Sequence, residues 1–187
     1  MPDRRVADLR PLPTSLPLWP LPLIAGLLPA LAGLLALALS IRLELIPACN
    51  PFIEGCVSVS RAARHDLPNY LFRTLMLPAA ALQALTWLLA ARWLRDLDHS
   101  AGARSLRWLM ILGLIAGIAL ACYGAFLGTE GQVYRWLRQY GTVIYFGFTC
   151  LCMLIAGGGI ERLAQAGTLA LPAWLARALI LCCGLLV

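Results

Sequence analysis

Long apolar runs alternate with short polar segments along most of this chain. The apolar runs lie at about residues 19–46, 70–94, 108–128, 140–156 and 171–187. A helix of roughly 20 apolar residues crosses a hydrocarbon core of about 30 Å. The pattern therefore predicts an all-α fold, a polytopic transmembrane helical bundle with about five membrane helices.

Proline, aspartate and glycine mark the expected ends of these helices. Pro47 is expected to end the first helix, while Asp66 and Pro68 suit an N-cap and a first-turn proline for the second. The glycines at 157–159 are expected to interrupt the apolar pattern after the fourth helix. The chain then divides into a cytoplasmic N-terminal segment, 1–18, and one transmembrane domain, 19–187, with an extracytoplasmic loop at 47–69.

The last apolar run stops at Val187 without a polar flank. A free carboxylate inside hydrocarbon is costly, so we expect the native protein to continue past this residue. The alternative is a natural end with Val187 at the opposite interface. Arg177 lies well inside this run and is expected to face the bundle or to snorkel to the interface.

Composition agrees with a membrane protein and argues against nucleic-acid binding. The chain is 61% hydrophobic and 13% charged, with a mean hydropathy of +0.80. The net charge is +6 and every basic residue is arginine, but the arginines lie in short loops and at helix ends, where they contact headgroups.

The arginine bias weakly favours a cytoplasmic N-terminus, and the lack of lysine suggests a GC-rich genome. We therefore expect an integral protein of a bacterial inner membrane.

The loop after the first helix holds two cysteines, Cys49 and Cys56. In an oxidising compartment they would form a structural disulfide; the alternatives are two free thiols or a redox-active pair, which usually has Cys-x-x-Cys spacing. No metal site is expected, because His65 is the loop's only histidine and the second polar segment on the same side, 129–139, supplies neither His nor Cys. No cofactor is predicted.

The same loop carries residue types used in hydrolysis or acyl transfer: Ser58, Ser60, Glu54, His65 and Asp66. A nucleophile needs a base within hydrogen-bond reach and a group that orients that base. The loop has no recognised spacing of these residues. The alternative interpretation makes Asp66 a helix cap and assigns the neighbouring arginines to headgroup contacts.

Charges are expected to gather at one membrane depth around the outer ends of the helices. They are Arg42, Glu44, Arg73, Glu130 and Arg135. Charges near hydrocarbon are usually paired or face a polar cavity. Both a structural ion-pair network and a substrate site remain open.

Small residues recur on one face of the third helix, at Gly113, Gly117, Ala121, Gly124 and Gly128. Such a face lets another helix approach closely. Packing within the chain is the default expectation. The alternative is contact with a membrane-protein partner or a second copy of the chain.

Ser58-Val-Ser60, followed by Pro68, Tyr70, Phe72 and Arg73 entering a helix, resembles the FRAG/DRAM/SFK family of multi-pass membrane proteins. In that family a Pro-Ser-x-Ser type motif occupies a polar loop after the first helix; Val57 stands at the proline position here. The segment 140–148 is similar to the start of a later helix of the family. The resemblance spans roughly residues 40–150. It implies five or six helices and a lipid-facing role on the luminal or periplasmic side, as in the remodelling of GPI-anchor lipids.

We therefore expect a membrane protein that binds a lipid or lipid-anchored substrate at the outer leaflet. In the enzymatic form of this hypothesis the protein also remodels that substrate. The predicted phosphate contacts are Arg61, Arg64, Arg73, Arg135, Ser58 and Ser60. His65 and Glu130, with Glu54 behind them, are the candidates for proton transfer. The alternative is a non-enzymatic accessory or scaffold subunit of a membrane complex that packs through the glycine face. The sequence leaves open whether the protein is an enzyme.

Overall fold

The computed structural model describes residues 17–48, 53–97 and 102–169, together with 174–175, 177–178 and 181. Its helices are α1 (Pro20–Arg42), α2 (Val59–Ala62), α3 (Asp66–Leu97), α4 (Ala103–Ala125) and α5 (Gln132–Gln165). No strand occurs in these ranges, and the predicted all-α fold is confirmed. Most of the predicted fifth span, 171–187, lies outside the described residues.

Four helices, α1, α3, α4 and α5, are long and apolar enough to cross a membrane. The mean hydropathy of their most apolar windows runs from 1.6 to 2.3, yet at most 39% of any window is buried within the chain. Most of this apolar surface therefore faces outward, as expected for helices whose solvent is lipid.

α3 packs against α1 on one side and α4 on the other, and α5 packs against α4. The C-termini of α1 and α4 and the N-termini of α3 and α5 therefore share one end of the bundle. We call this the loop end, because it also carries α2 and the turn between α4 and α5. The opposite end carries Arg92, Arg95, Arg104 and Arg107.

The glycine face of α4 packs against α3. An added Cβ at Gly113 would lie 2.3 Å from Cβ of Trp87, and one at Gly117 would lie 2.8 Å from Cβ of Ala84. Only glycine allows this approach of the two helices. Packing within the chain is thus confirmed for this face, while association with a partner through it stays a prediction.

The predicted end of the first helix at Ile46 is wrong, because α1 ends at Arg42. Glu44 has a left-handed backbone, with φ of 56°. Its N–H bonds to the Ile41 carbonyl and the N–H of Leu45 bonds to the Ser40 carbonyl. This is the Schellman ending, which usually has glycine where Glu44 stands, so no residue marked the end of the helix there.

Three other expected boundaries also change. Asp66 is the first residue of α3 rather than the residue before it, although Pro68 does lie in the first turn. α4 begins at Ala103, before the predicted start at Trp108. α5 runs unbroken through the glycines at 157–159. At Gly159 an added Cβ would lie 3.2 Å from the Leu94 side chain, so glycine leaves room for α3 there.

Candidate functional site

The loop end contains a cavity of about 760 Å³ between the α2–α3 segment and the α4–α5 turn. Its size falls in the range of about 300–1,000 Å³ that ligand pockets occupy. The lining residues are Arg61, Arg64, His65, Gly128, Thr129, Glu130, Gly131, Arg135 and Arg138. We call it the basic cavity. The structure thus brings together five of the predicted site residues.

Buried hydrogen bonds hold the α2 segment in place. Ser40 of α1 is completely buried, and its Oγ donates to the Ala62 carbonyl at 2.5 Å. The amide of Asn69, buried in the first turn of α3, donates to the carbonyls of Ala63 and Leu127 at 2.9 Å each. Asn69 therefore links the segment carrying Arg64 to the segment after α4.

The turn between α4 and α5 fits tightly against that segment. Gly128 has φ of +87°, and an added Cβ there would lie 2.6 Å from the Arg64 carbonyl oxygen and 2.8 Å from Nδ2 of Asn69. Both the backbone conformation and the space require glycine. The close approach sets Glu130 and Arg135 opposite Arg61 and Arg64 across the cavity.

Arginines from neighbouring helices satisfy the last carbonyls of α4, whose own last turn has no basic residue. Arg73 of α3 donates to the Ala125 carbonyl. Arg138 of α5 donates to the Phe126 carbonyl at 2.9 Å and to the Thr129 carbonyl at 2.6 Å. These bonds fix Arg138 in the cavity wall and neutralise the negative end of the α4 dipole.

The cavity has a large excess of positive charge. Four arginines face one carboxylate, Glu130. Across the described residues the only ion pair joins Nε of Arg177 to Oε1 of Glu161 at 2.8 Å, near the opposite end of the bundle. The loop-end charges therefore do not form the ion-pair network that was one of the two interpretations. Arg177, whose side chain is 63% exposed, has a partner that the sequence did not predict.

The N-terminus of α5 adds to this positive field. Its N-cap, Gly131, lines the cavity, and the first turn has neither a side-chain cap nor an acidic residue. The first backbone N–H groups of a helix need acceptors and favour negative charge. The basic cavity is therefore suited to an anion.

Four other predicted site residues do not line the cavity. Arg73 is bonded to the end of α4, and Glu54 is exposed elsewhere on the loop. Ser58 lies just before α2, where its hydroxyl accepts a hydrogen bond from the Arg61 N–H at 3.3 Å. Ser60 lies in α2, and its hydroxyl is 3.3 Å from the hydroxyl of Ser58. The predicted Cys49–Cys56 disulfide stays a prediction, because Cys49 lies outside the described residues.

A second, apolar cavity of about 270 Å³ lies where α1 and α5 face each other across the bundle. We call it the apolar groove. Ala30 and Gly33 of α1 line one side and Phe146 of α5 lines the other. Its floor is made by α3 and α4, through Phe72, Met76, Leu120 and Tyr123.

Tyr123 relates the apolar groove to the charges of the basic cavity. Its ring lines the apolar groove and meets Phe72 edge to face, with centroids 6.0 Å apart. Its hydroxyl lies within the electrostatic reach of Arg64 and Arg138, which line the basic cavity. The ring of Tyr123 thus belongs to the apolar groove, while its hydroxyl lies within the electrostatic reach of two arginines of the basic cavity.

Sequence reasoning missed three residues of this arrangement: Arg138, Asn69 and Tyr123. A signal existed for Arg138, because Arg135 and Arg138 are three residues apart and share one face of a helix. The predicted helix began only at residue 140, whereas α5 begins at Gln132 and includes both arginines. The described residues contain no group of three or more His, Cys, Asp or Glu side chains able to hold a metal ion.

Comparison of the chain with protein-family models, with curated protein sequences and with solved structures finds no match.

Proposed function

We propose that this protein is an integral membrane protein that binds a lipid with a phosphate-bearing headgroup. The headgroup occupies the basic cavity and a hydrocarbon chain occupies the apolar groove. The observation that carries this proposal is the position of Tyr123, which lines the apolar groove while its hydroxyl lies near Arg64 and Arg138 of the basic cavity. A lipid has the same division between a charged head and an apolar tail.

The charge of the cavity supports a phosphate. Arg61, Arg64 and Arg135 have no carboxylate partner among the described residues, and guanidinium groups bind phosphate through paired, charge-assisted hydrogen bonds. The groove lies between membrane-length helices, so a chain could enter it from the bilayer.

The proposed location is the outer leaflet of a bacterial inner membrane, with the N-terminus in the cytoplasm. The arginine bias supports this orientation, and it would place the loop with Cys49 and Cys56 in a compartment where a disulfide persists. The resemblance of the Ser58–Arg73 stretch to FRAG/DRAM/SFK proteins also favours a lipid-handling role at that surface.

The test measures lipid retention by native mass spectrometry after mild detergent extraction. The double variant Arg61→Gln/Arg135→Gln should lose bound phosphate-bearing lipid at least about tenfold, since each charge-assisted hydrogen bond contributes about 1.5–3 kcal/mol. The matched control, Arg92→Gln/Arg95→Gln, removes the same charge at the opposite end and should retain the lipid. Equal retention by the two double variants would falsify the proposal.

One observation favours a second activity, remodelling of the bound lipid. His65 and Glu130 both line the basic cavity, so a proton donor and a proton acceptor would flank the headgroup. His65→Ala and Glu130→Ala should each reduce lipid turnover by purified protein, while retaining lipid binding. Full turnover in both variants would exclude the enzymatic version.

An accessory or scaffold subunit has less support. The side chains that meet the α4 glycines belong to α3 of the same chain, so that face is already covered.

A further inference from the structure

We infer that the basic cavity selects a headgroup with two linked phosphates, a lipid diphosphate, over one with a single phosphate. This inference rests on the proposed function and specifies its ligand class. It follows from the number of positive groups around the cavity, the way each is held, and the space between them.

The excess positive charge of the basic cavity favours a headgroup with two phosphates. Four arginines against Glu130 leave an excess of three positive charges, with His65 counted as neutral. A phosphodiester headgroup carries one negative charge and a phosphomonoester about 1.5–2, so either would leave the cavity positive. A diphosphate adds a further phosphate and brings the occupied cavity close to neutrality. A ligand that neutralises the arginines should bind more tightly than one that leaves them charged, because an unpaired charge beside hydrocarbon is costly.

The arginines of the basic cavity come from two different segments of the chain. Arg61 and Arg64 come from the α2–α3 segment, whereas Arg135 and Arg138 come from the first turns of α5. Arg138 already donates to two carbonyls. The other three donate no side-chain hydrogen bond within the described residues, and they approach the cavity from two sides. Two adjacent phosphates would engage both sides at once.

The backbone at the start of α5 offers further hydrogen-bond donors. Gly131, the N-cap of α5, has no side chain over the cavity, and no side chain caps this terminus. The first N–H groups of α5 are therefore available to oxygen atoms beyond those that the arginines bind. With a volume of about 760 Å³, the cavity has room for both phosphates.

The experiment compares three lipids with one pair of oleoyl chains: dioleoylglycerol, its monophosphate and its diphosphate. Binding to the full chain in detergent is titrated by native mass spectrometry. The diphosphate should bind at least about tenfold more tightly than the monophosphate, a difference of about 1.4 kcal/mol. Arg135→Gln should reduce this preference severalfold, whereas Arg95→Gln at the opposite end should leave it unchanged.

The outcomes separate the inference from the function on which it rests. Equal binding of monophosphate and diphosphate, both above dioleoylglycerol, overturns the diphosphate inference and keeps the lipid proposal. No preference for either phosphate over dioleoylglycerol overturns both. Inorganic diphosphate is a fourth arm: affinity equal to that of the lipid diphosphate would mean that the ligand is a soluble diphosphate, which overturns the lipid proposal and keeps the diphosphate chemistry.

Discussion

Arg138, in the second turn of α5, donates a hydrogen bond to the Thr129 carbonyl at 2.6 Å and so closes the turn that precedes its own helix. The same guanidinium nitrogen also reaches the Phe126 carbonyl after α4. One side chain therefore joins the end of one membrane helix to the start of the next. It also places a fixed positive charge in the wall of the basic cavity.

Replacing Arg138 should destabilise the protein more than replacing its neighbour Arg135. Arg138→Leu removes two hydrogen bonds from a charged donor, which we expect to cost about 2–3 kcal/mol in this half-exposed position. For a chain of this size that lowers the melting temperature by about 5–10 °C. Arg135→Leu should change it by less than about 2 °C, because exposed substitutions without such bonds have small effects.

Differential scanning fluorimetry in one detergent, without added lipid, measures both variants. Equal melting temperatures for Arg138→Leu and Arg135→Leu would show that the two carbonyl contacts do not stabilise the fold.

Two glycine-to-alanine substitutions should have opposite effects. An alanine Cβ at Gly113 would lie 2.3 Å from Cβ of Trp87, so α3 and α4 must move apart, at a cost of about 1–3 kcal/mol. Gly147, on the exposed side of α5, has no atom within 4 Å of an added Cβ. Gly147→Ala should stabilise α5 by about 0.5–1 kcal/mol.

Thermal melts in the same detergent decide the sign for each variant. A melting temperature for Gly113→Ala at or above that of the unmodified protein would contradict the close packing of α3 on α4.

The apolar pattern alone predicted the membrane helices, because lipid-exposed helices need long runs of apolar residues whatever their neighbours are. Their ends depend on local conformation that composition does not report. Glu44 adopts the left-handed geometry usually taken by glycine, so the end of α1 had no visible marker. The glycines at 157–159 suggested a break, but α5 continues through them, and Gly159 lies against Leu94 of α3.

The candidate site was predictable in part for a similar reason. Arg61, Arg64, His65, Glu130 and Arg135 lie in segments that must share one end of an antiparallel bundle, so their assembly followed from topology. Asn69 did not stand out, because an asparagine in the first turn of a helix is common. Only the fold shows that two carbonyls, 6 and 58 residues away in the sequence, converge on its amide.

Filling the apolar groove should weaken lipid binding without altering the basic cavity. Ala30 lines the groove, and Ala30→Trp would place an indole where the hydrocarbon chain is proposed to lie. We expect affinity for dioleoylglycerol monophosphate to fall at least about tenfold, which corresponds to about 1.4 kcal/mol. Binding of inorganic phosphate should be unchanged.

The control is Ala38→Trp, which adds the same side chain to an exposed position of α1 outside the groove. If Ala30→Trp and Ala38→Trp bind the lipid equally well, its chain does not occupy the groove.

Asn69 should control both the position of the α2 segment and the affinity of the basic cavity. Asn69→Asp replaces the amide donor with a carboxylate that faces the carbonyls of Ala63 and Leu127. Asn69→Leu removes the donor without adding charge. Each variant leaves buried carbonyls without a partner, at about 1–3 kcal/mol per group. The α2 segment should then separate from α4 more often, so trypsin should cleave after Arg61 and Arg64 several times faster.

Limited proteolysis followed by mass spectrometry measures cleavage at those two arginines, and lipid titration measures the cavity. Thr74→Val is the matched control on the same helix, because the Thr74 hydroxyl bonds only to the Tyr70 carbonyl one turn earlier. The control should match the unmodified protein in both measurements. Because Asn69 holds the Arg64 side of the cavity, faster cleavage and weaker lipid binding should occur together. Faster cleavage with unchanged lipid affinity would mean that Arg61 and Arg64 do not contact the headgroup.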